Sequence, residues 1–281
     1  MSRRKRILII GLAASVVAGG LFLLLRPREP DWEGRSLSEW LGDLGSGASL
    51  DQEARTTAAI RGMGQKTLPT LVRLLRRRDS SVKKFIHEIQ PRATGSRFPG
   101  IEFKWARDSW LAAAQGFEVL GPAAAPAIPE LAPLVAEEIP GKFAALSLTA
   151  IGPSAVPTLT NLLVQPPACF NAAFALAGMS DVGRAHLLVA LTHTNHFVRM
   201  AGVAGLFYAQ NAPARGSGDG TGLNDLNGRV VQFNAARISA ASGFHAGRET
   251  SLIGWILDRQ ATNRDPDVVT AVQSVRRQLG P

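Results

Sequence analysis

The side chains of this sequence that could carry chemistry are few, and their spacing decides each case. His186, His193 and His196 lie close together, and His193-x-x-His196 could in principle share a metal ion through two imidazoles. No Asp, Glu or Cys falls between residues 182 and 218 to complete a ligand set, so surface histidines explain the run more simply. Asp219-Gly-Thr-Gly-Leu-Asn-Asp225 has the composition of a calcium loop but neither the alternating ligand order nor the closing glutamate. The glycines at 216, 218, 220 and 222 do not complete a dinucleotide fingerprint, because Thr221 and Leu223 stand where the third glycine is required. Nucleophile-elbow and phosphate-loop patterns are absent. Cys169 is the single cysteine, which excludes an internal disulfide and a multi-cysteine zinc site. Beside Phe170 in an apolar helical pattern, it reads as packing rather than as a nucleophile. The expectation is a protein that is not an enzyme and has no cofactor.

One cluster suggests binding. Arg73, Arg76, Arg77, Arg78, Lys83 and Lys84 gather around the end of one predicted helix, opposed nearby in the sequence only by Asp79. Cations favour helix C-termini, so a solvated helix end accounts for part of this. The other reading is a site for an anionic partner, with acidic protein, lipid headgroup or polysaccharide ahead of nucleic acid.

Behind these residues stands a chain of 281 residues, 46% hydrophobic and 19% charged, with ample material for a buried core and no resemblance to a disordered polymer. The net charge of +9 is unevenly placed. Residues 1–28 hold six basic side chains and no acid, which leaves 25 basic against 22 acidic residues elsewhere, an ordinary surface balance. Arg3-Arg4-Lys5-Arg6 precedes an uncharged run, Ile7 to Leu25, whose only polar side chain is Ser15. As a helix that run reaches roughly 28 Å, close to the hydrocarbon thickness of a bilayer. Basic flanks stay in the cytoplasm, so the expected topology is a single-pass inner-membrane protein with its C-terminal part in the periplasm. A cleaved signal peptide is the rival, but Leu21-Phe22-Leu23-Leu24-Leu25 prolongs the apolar run past Ala18-Gly19-Gly20. Gly11, Ser15 and Gly19 form a small-residue stripe through which two such helices could pair as a homodimer.

Beyond a juxtamembrane spacer, Ser36-Leu-Ser-Glu39 reads as a capping box that opens a short helix, and residues 29–50 are assigned to this linking region. From residue 51 the chain repeats itself. Gly64, Gly121 and Gly152 are each preceded by a bulky apolar residue and followed five positions later by a proline, Pro69, Pro126 and Pro157. Four residues before each glycine stand Ile60, Phe117 and Leu148, and five before stand the small Ala59, Gly116 and Ser147. Apolar residues at helical spacing, then a glycine able to take positive φ, then a proline suited to a first helical turn, describe helix–turn–helix units. A degenerate unit centres on Gly178, and a further one runs from Val198 to Tyr208.

The stretches LGPAAAPAIPEL and IGPSAVPTLTNLL resemble HEAT repeats of the bacterial type also seen in phycobilisome-lyase-related proteins. The resemblance is strongest over residues 51–78 and 108–164. It implies an all-α fold, an α-solenoid over residues 51–281 preceded by one transmembrane helix, and a docking role for unknown protein partners. Insertions are expected as loops near 91–101 and 211–229. Deoxyhypusine hydroxylase, an enzyme among HEAT-like proteins, holds two irons with His-Glu pairs on successive repeats. Here only His87-Glu88 occurs, so that activity is rejected. HEAT-like DNA glycosylases place basic faces on DNA, but nucleic acid is an unlikely partner for an exported domain. The functional expectation is a membrane-anchored, non-catalytic scaffold, with Arg97, Phe98, Trp105, Trp110 and the 73–84 patch as candidate contacts, Trp110 being equally readable as core because it opens the second repeat helix.

Overall fold

The structure, a computed structural model, describes residues 29–44, 48–85, 105–211, 226–245, 248–263 and 265–279. The expected anchor, its Gly11-Ser15-Gly19 stripe, His87-Glu88 and the loop near 91–101 lie outside these residues. The described chain is all-α apart from one small antiparallel hairpin, β1 (Asp31–Trp32) paired with β2 (Arg35–Ser36). Glu33 and Gly34 both carry positive φ between the strands, as a tight two-residue hairpin turn requires.

The hairpin leads directly into α1 (Leu37–Gly42). Its capping box forms as the sequence suggests, the Ser36 backbone N–H donating to Glu39 Oε2 at 2.7 Å. That contact holds the Glu39 carboxyl below its usual range, with the Ser36 hydroxyl assisting. Leu37, Trp40, Leu41 and Leu44 are all buried, and the Gln115 side-chain amide donates to the Leu44 carbonyl at 3.1 Å. Residues 29–44 are therefore part of the folded body rather than a spacer outside it.

The next helices run α2 (Leu50–Met63), α3 (Leu68–Leu75), α4 (Ala106–Leu120), α5 (Ile128–Leu131), α6 (Pro140–Ile151) and α7 (Val156–Leu163). Helices α2, α4 and α6 end at Gly64, Gly121 and Gly152, with φ of +56°, +54° and +84°. A short 3₁₀ turn follows each glycine before the chain re-enters an α-helix. The aligned apolar positions Ile60, Phe117 and Leu148 are completely buried, as is the small column of Ala59, Gly116 and Ser147. Pro69 and Pro157 sit in the first turns of α3 and α7. Pro126 instead lies inside the 3₁₀ turn, and Pro129 takes the first-turn position of α5.

After Leu163 come α8 (Cys169–Ala177), α9 (Ser180–Ala190), α10 (His196–Asn211), α11 (Leu226–His245), α12 (Glu249–Gln260) and α13 (Pro266–Leu279). The loop expected over 211–229 is trimmed at both ends by α10 and α11, and residues 212–225 lie outside the description. Phe174, Tyr208 and Phe233 form a buried aromatic trio that ties α8, α10 and α11 together, with ring centroids 4.7 to 5.8 Å apart.

Successive helices pack on one another, α4 on α3 and α6, α6 on α8, and α8 on α7, α9 and α10. Contacts also bridge distant parts: α13 packs on α9, and α11 returns to α4, where Arg229 meets Glu118 at 3.5 Å. Among the described residues, 106–136 is the one helical stretch whose length and composition would allow a membrane crossing. It is not one rod. Gly121 turns the chain within it, and Phe117, Leu131 and Val135 are completely buried against neighbouring helices.

Candidate functional site

The basic cluster lies where α3 ends and the next segment begins. Seen in three dimensions, half of its charges are met by acids remote in sequence. Arg73 pairs with Glu29 at 2.9 Å, Arg76 with Glu130 at 3.3 Å, and Arg78 with Glu137. Lys83 pairs with Asp79 at 2.9 Å. Asp79 also accepts the backbone N–H of Ala106, the first residue of α4, at 3.0 Å. Burial works to raise the Asp79 carboxyl, but the hydrogen bonds from Lys83 and Ala106 outweigh it and hold the group below its usual range. Arg77 donates to the Ser109 hydroxyl at 3.1 Å. Lys84 is exposed. The surface is thus a lattice of opposite charges that closes the end of α3 onto α4 and the 130–137 segment. Exposed pairs of this kind each contribute about 0–1 kcal/mol.

The candidate aromatic contacts separate. Trp110 is a core residue: it is buried, its indole N–H donates to the Arg77 carbonyl at 2.9 Å, and its ring lies 6.0 Å from that of Phe143. It therefore cannot serve as a surface contact, because an opening helix position that faces a neighbouring helix is buried by it. Trp105 is half-buried at the start of α4, with the Lys83 ammonium 4.7 Å from its ring centroid. Arg97 and Phe98 lie outside the described residues.

Beside this charged end is a cleft of about 360 Å³ that sequence reasoning did not find. Glu137, the partner of Arg78, forms part of its wall. Pro166 and Pro167, joined by a cis peptide bond, and the rings of Phe170 and Phe197 supply its apolar surface. Phe197 is 50% exposed. The Arg237 guanidinium stands 5.7 Å from the Phe170 ring centroid. The buried Asn171 amide donates to the carbonyls of Val135 and Glu137 at 2.8 and 3.2 Å, which fixes the loop that carries the acidic wall. Near the rim, burial lowers the Lys142 ammonium from its usual value, repulsion from Arg237 adds to this, and Glu138 opposes it. Cys169 is buried at the cleft, and burial pushes its thiol up, away from the reactive thiolate.

Pro166-Pro167 after a predicted helix was the one local signal of this cleft. Phe197 and Arg237 belong to other helices, and only packing brings them to Phe170. As for chemistry, His193 Nδ1 accepts the Asn195 backbone N–H at 3.0 Å in a local turn, and the His196 ring packs on Phe197. Among the described residues no group of three or more His, Cys, Asp or Glu side chains is placed to hold a metal ion. The geometry offers an apolar, partly charged recess rather than convergent reactive groups. No family model, curated protein or solved structure matches this chain.

Proposed function

We propose that this chain is a membrane-anchored, non-catalytic scaffold, a HEAT-like α-solenoid displayed outside the cytoplasm that binds a protein partner. The observation that carries the reading is the cleft lined by residues 136–138, 166–167, 169–171, 197 and 237, half-open and apolar over most of its walls. Two aromatic rings beside charged rim groups form the kind of surface that anchors a partner's side chain. The alternative, an anionic partner held by residues 73–84, has less support. Arg73, Arg76, Arg78 and Lys83 already have carboxylate partners, which an incoming polyanion would have to displace.

The test combines place and contact. A reporter enzyme active only outside the cytoplasm, fused after residue 281, is expected to be active, with a cytoplasm-active reporter silent. A photo-reactive residue at position 197 is expected to give one discrete protein adduct in intact membranes, and the same residue at position 255 none. Adducts of equal yield at both positions, or a cytoplasmic C-terminus, would remove the proposal.

A further inference from the structure

The folded body begins almost where the apolar run of residues 7–25 ends. Glu29 is already fixed to it through both carboxylate oxygens: Oε1 accepts from Arg73 at 2.9 Å, and Oε2 from the Ser38 backbone N–H at 3.3 Å. The Pro30 carbonyl accepts from the Leu37 N–H at 2.9 Å, and Leu37 is completely buried. Only residues 26–28 separate Leu25 from Glu29. Four Cα steps reach at most roughly 14 Å even when extended. The headgroup layer takes about 5–8 Å of that distance. The remaining clearance is smaller than the width of one helix, about 10–12 Å. A body tied so closely to a bilayer must rest one end on it.

The end so placed is the β1–β2 hairpin. Trp32 is 39% exposed there, and its ring lies against α2 at Gly62, where an added Cβ would stand 2.6 Å from ring atoms. Any larger residue at position 62 would displace the indole. An indole with one wet edge suits the layer between water and hydrocarbon. Arg73 is paired with Glu29, and Arg35 is paired with Asp43 at 2.7 Å. Asp31 and Glu33 are exposed on the hairpin itself. With Arg26 and Arg28 in the adjoining sequence and Arg55 exposed beside Trp32, these carboxylates leave no net sign, so the indole rather than charge carries the contact.

We infer that the hairpin end, with Trp32 beside its turn, is a contact surface for phospholipid headgroups. The inference rests on the reading of residues 7–25 as a membrane anchor, and it fixes which end of the scaffold is closed to partners.

The experiment uses the full chain in phosphatidylcholine nanodiscs that carry a nitroxide on the headgroup, with tryptophan emission as the readout. The wild-type protein is expected to be quenched, Trp32→Phe to lose most of the quenchable emission, and Trp255→Phe to keep it. A second variant inserts a flexible Gly/Ser linker of about 20 residues, with a mean reach of roughly 25 Å, between Arg28 and Glu29. It retains Trp32 and is expected to lose the same part of the quenching. Quenching that neither variant reduces, in protein that resists alkaline extraction, would overturn the contact surface while leaving the anchor standing. Release of the protein by alkali would overturn the anchor, and this inference with it.

Discussion

Between residues 50 and 163 the chain reverses at glycines whose backbone other residues avoid, whereas beyond it Gly178, Gly183, Gly202 and Gly205 have ordinary backbone and lie tightly against neighbouring groups. Around Gly64 and Gly152 nothing lies within 4 Å of where a Cβ would be, so sterics with neighbours do not demand glycine there. Their φ of +56° and +84°, with ψ of −137° and −146°, demand it instead. Gly183, inside α9, has the opposite character. Its backbone is helical, but a Cβ would fall 1.8 Å from the Leu176 carbonyl oxygen. The Gly178 that aligns with the turn glycines has φ of −76°, and the positive φ passes to Ser180. In the first region the reversals are encoded locally. In the second, helix positions are set by close approach and by tertiary ties, such as the aromatic trio and the Arg199–Glu249 pair between α10 and α12.

That contrast can be broken by substitution. The largest effect is expected from Gly183→Ala, because the obstructing atom is backbone and cannot rotate away. A loss of about 3 kcal/mol is expected, read as a lower urea midpoint of the solubilised protein. Trimming Leu176 to alanine should not restore it, and restoration would show that the clash lies with a side chain. Gly152→Ala is expected to cost about 2 kcal/mol through backbone strain alone. Trimming any neighbour should leave that loss unchanged, since no neighbour is in contact.

A smaller effect is expected at the junction that joins α3 to α4. Asp79→Asn weakens the contacts with Lys83 and the Ala106 N–H and should cost about 1 kcal/mol. The Asp79 carboxyl lies below its ordinary value of 3.8 in the folded chain. Its stabilisation is therefore complete above pH 3.8 and disappears as pH falls through the lower folded value. Urea midpoints should show this acid loss in the wild-type protein, with Asp79→Asn lacking that component. The smallest effect is at Lys142, whose folded value lies below the ordinary 10.5. The unfolded chain holds that proton more tightly, so stability should increase as pH rises through the folded value towards 10.5. Lys142→Met should flatten that alkaline gain. An unchanged pH profile would show that the ammonium is not disfavoured by burial.

Legibility in the sequence follows the same division. The columns headed by Ile60, Phe117 and Leu148 could be aligned because each unit carries its own turn, and their complete burial follows from that periodicity. The capping box at Ser36 was visible for the same reason. The acids that meet Arg73, Arg76 and Arg78 were not visible, since they lie 44 to 59 residues away along the chain and no local rule pairs them. For the linking region of residues 29–50 the short helix was legible, but its attachment at Leu37, Trp40 and Leu41 was not. Their helical spacing was evident, but the surface of α4 that covers them was not. Trp110 was legible only as either contact or core, since an aromatic at a helix start has no intrinsic sign of whether it faces a neighbour or water. The cleft draws on Pro167, Phe170, Phe197 and Arg237, which only the assembled helices bring together.

Cys169 adds a practical consequence. The sequence contains one thiol, and it is buried at the recess with Sγ 3.9 Å from the Phe197 carbonyl oxygen. Alkylation of the native protein is therefore expected to be slow, and to speed up when α8 and α10 move apart there. The protein thus carries its own stopwatch. The rate of thiol capture in intact membranes times the breathing of the recess, and slower capture on addition of a partner would identify what keeps it shut.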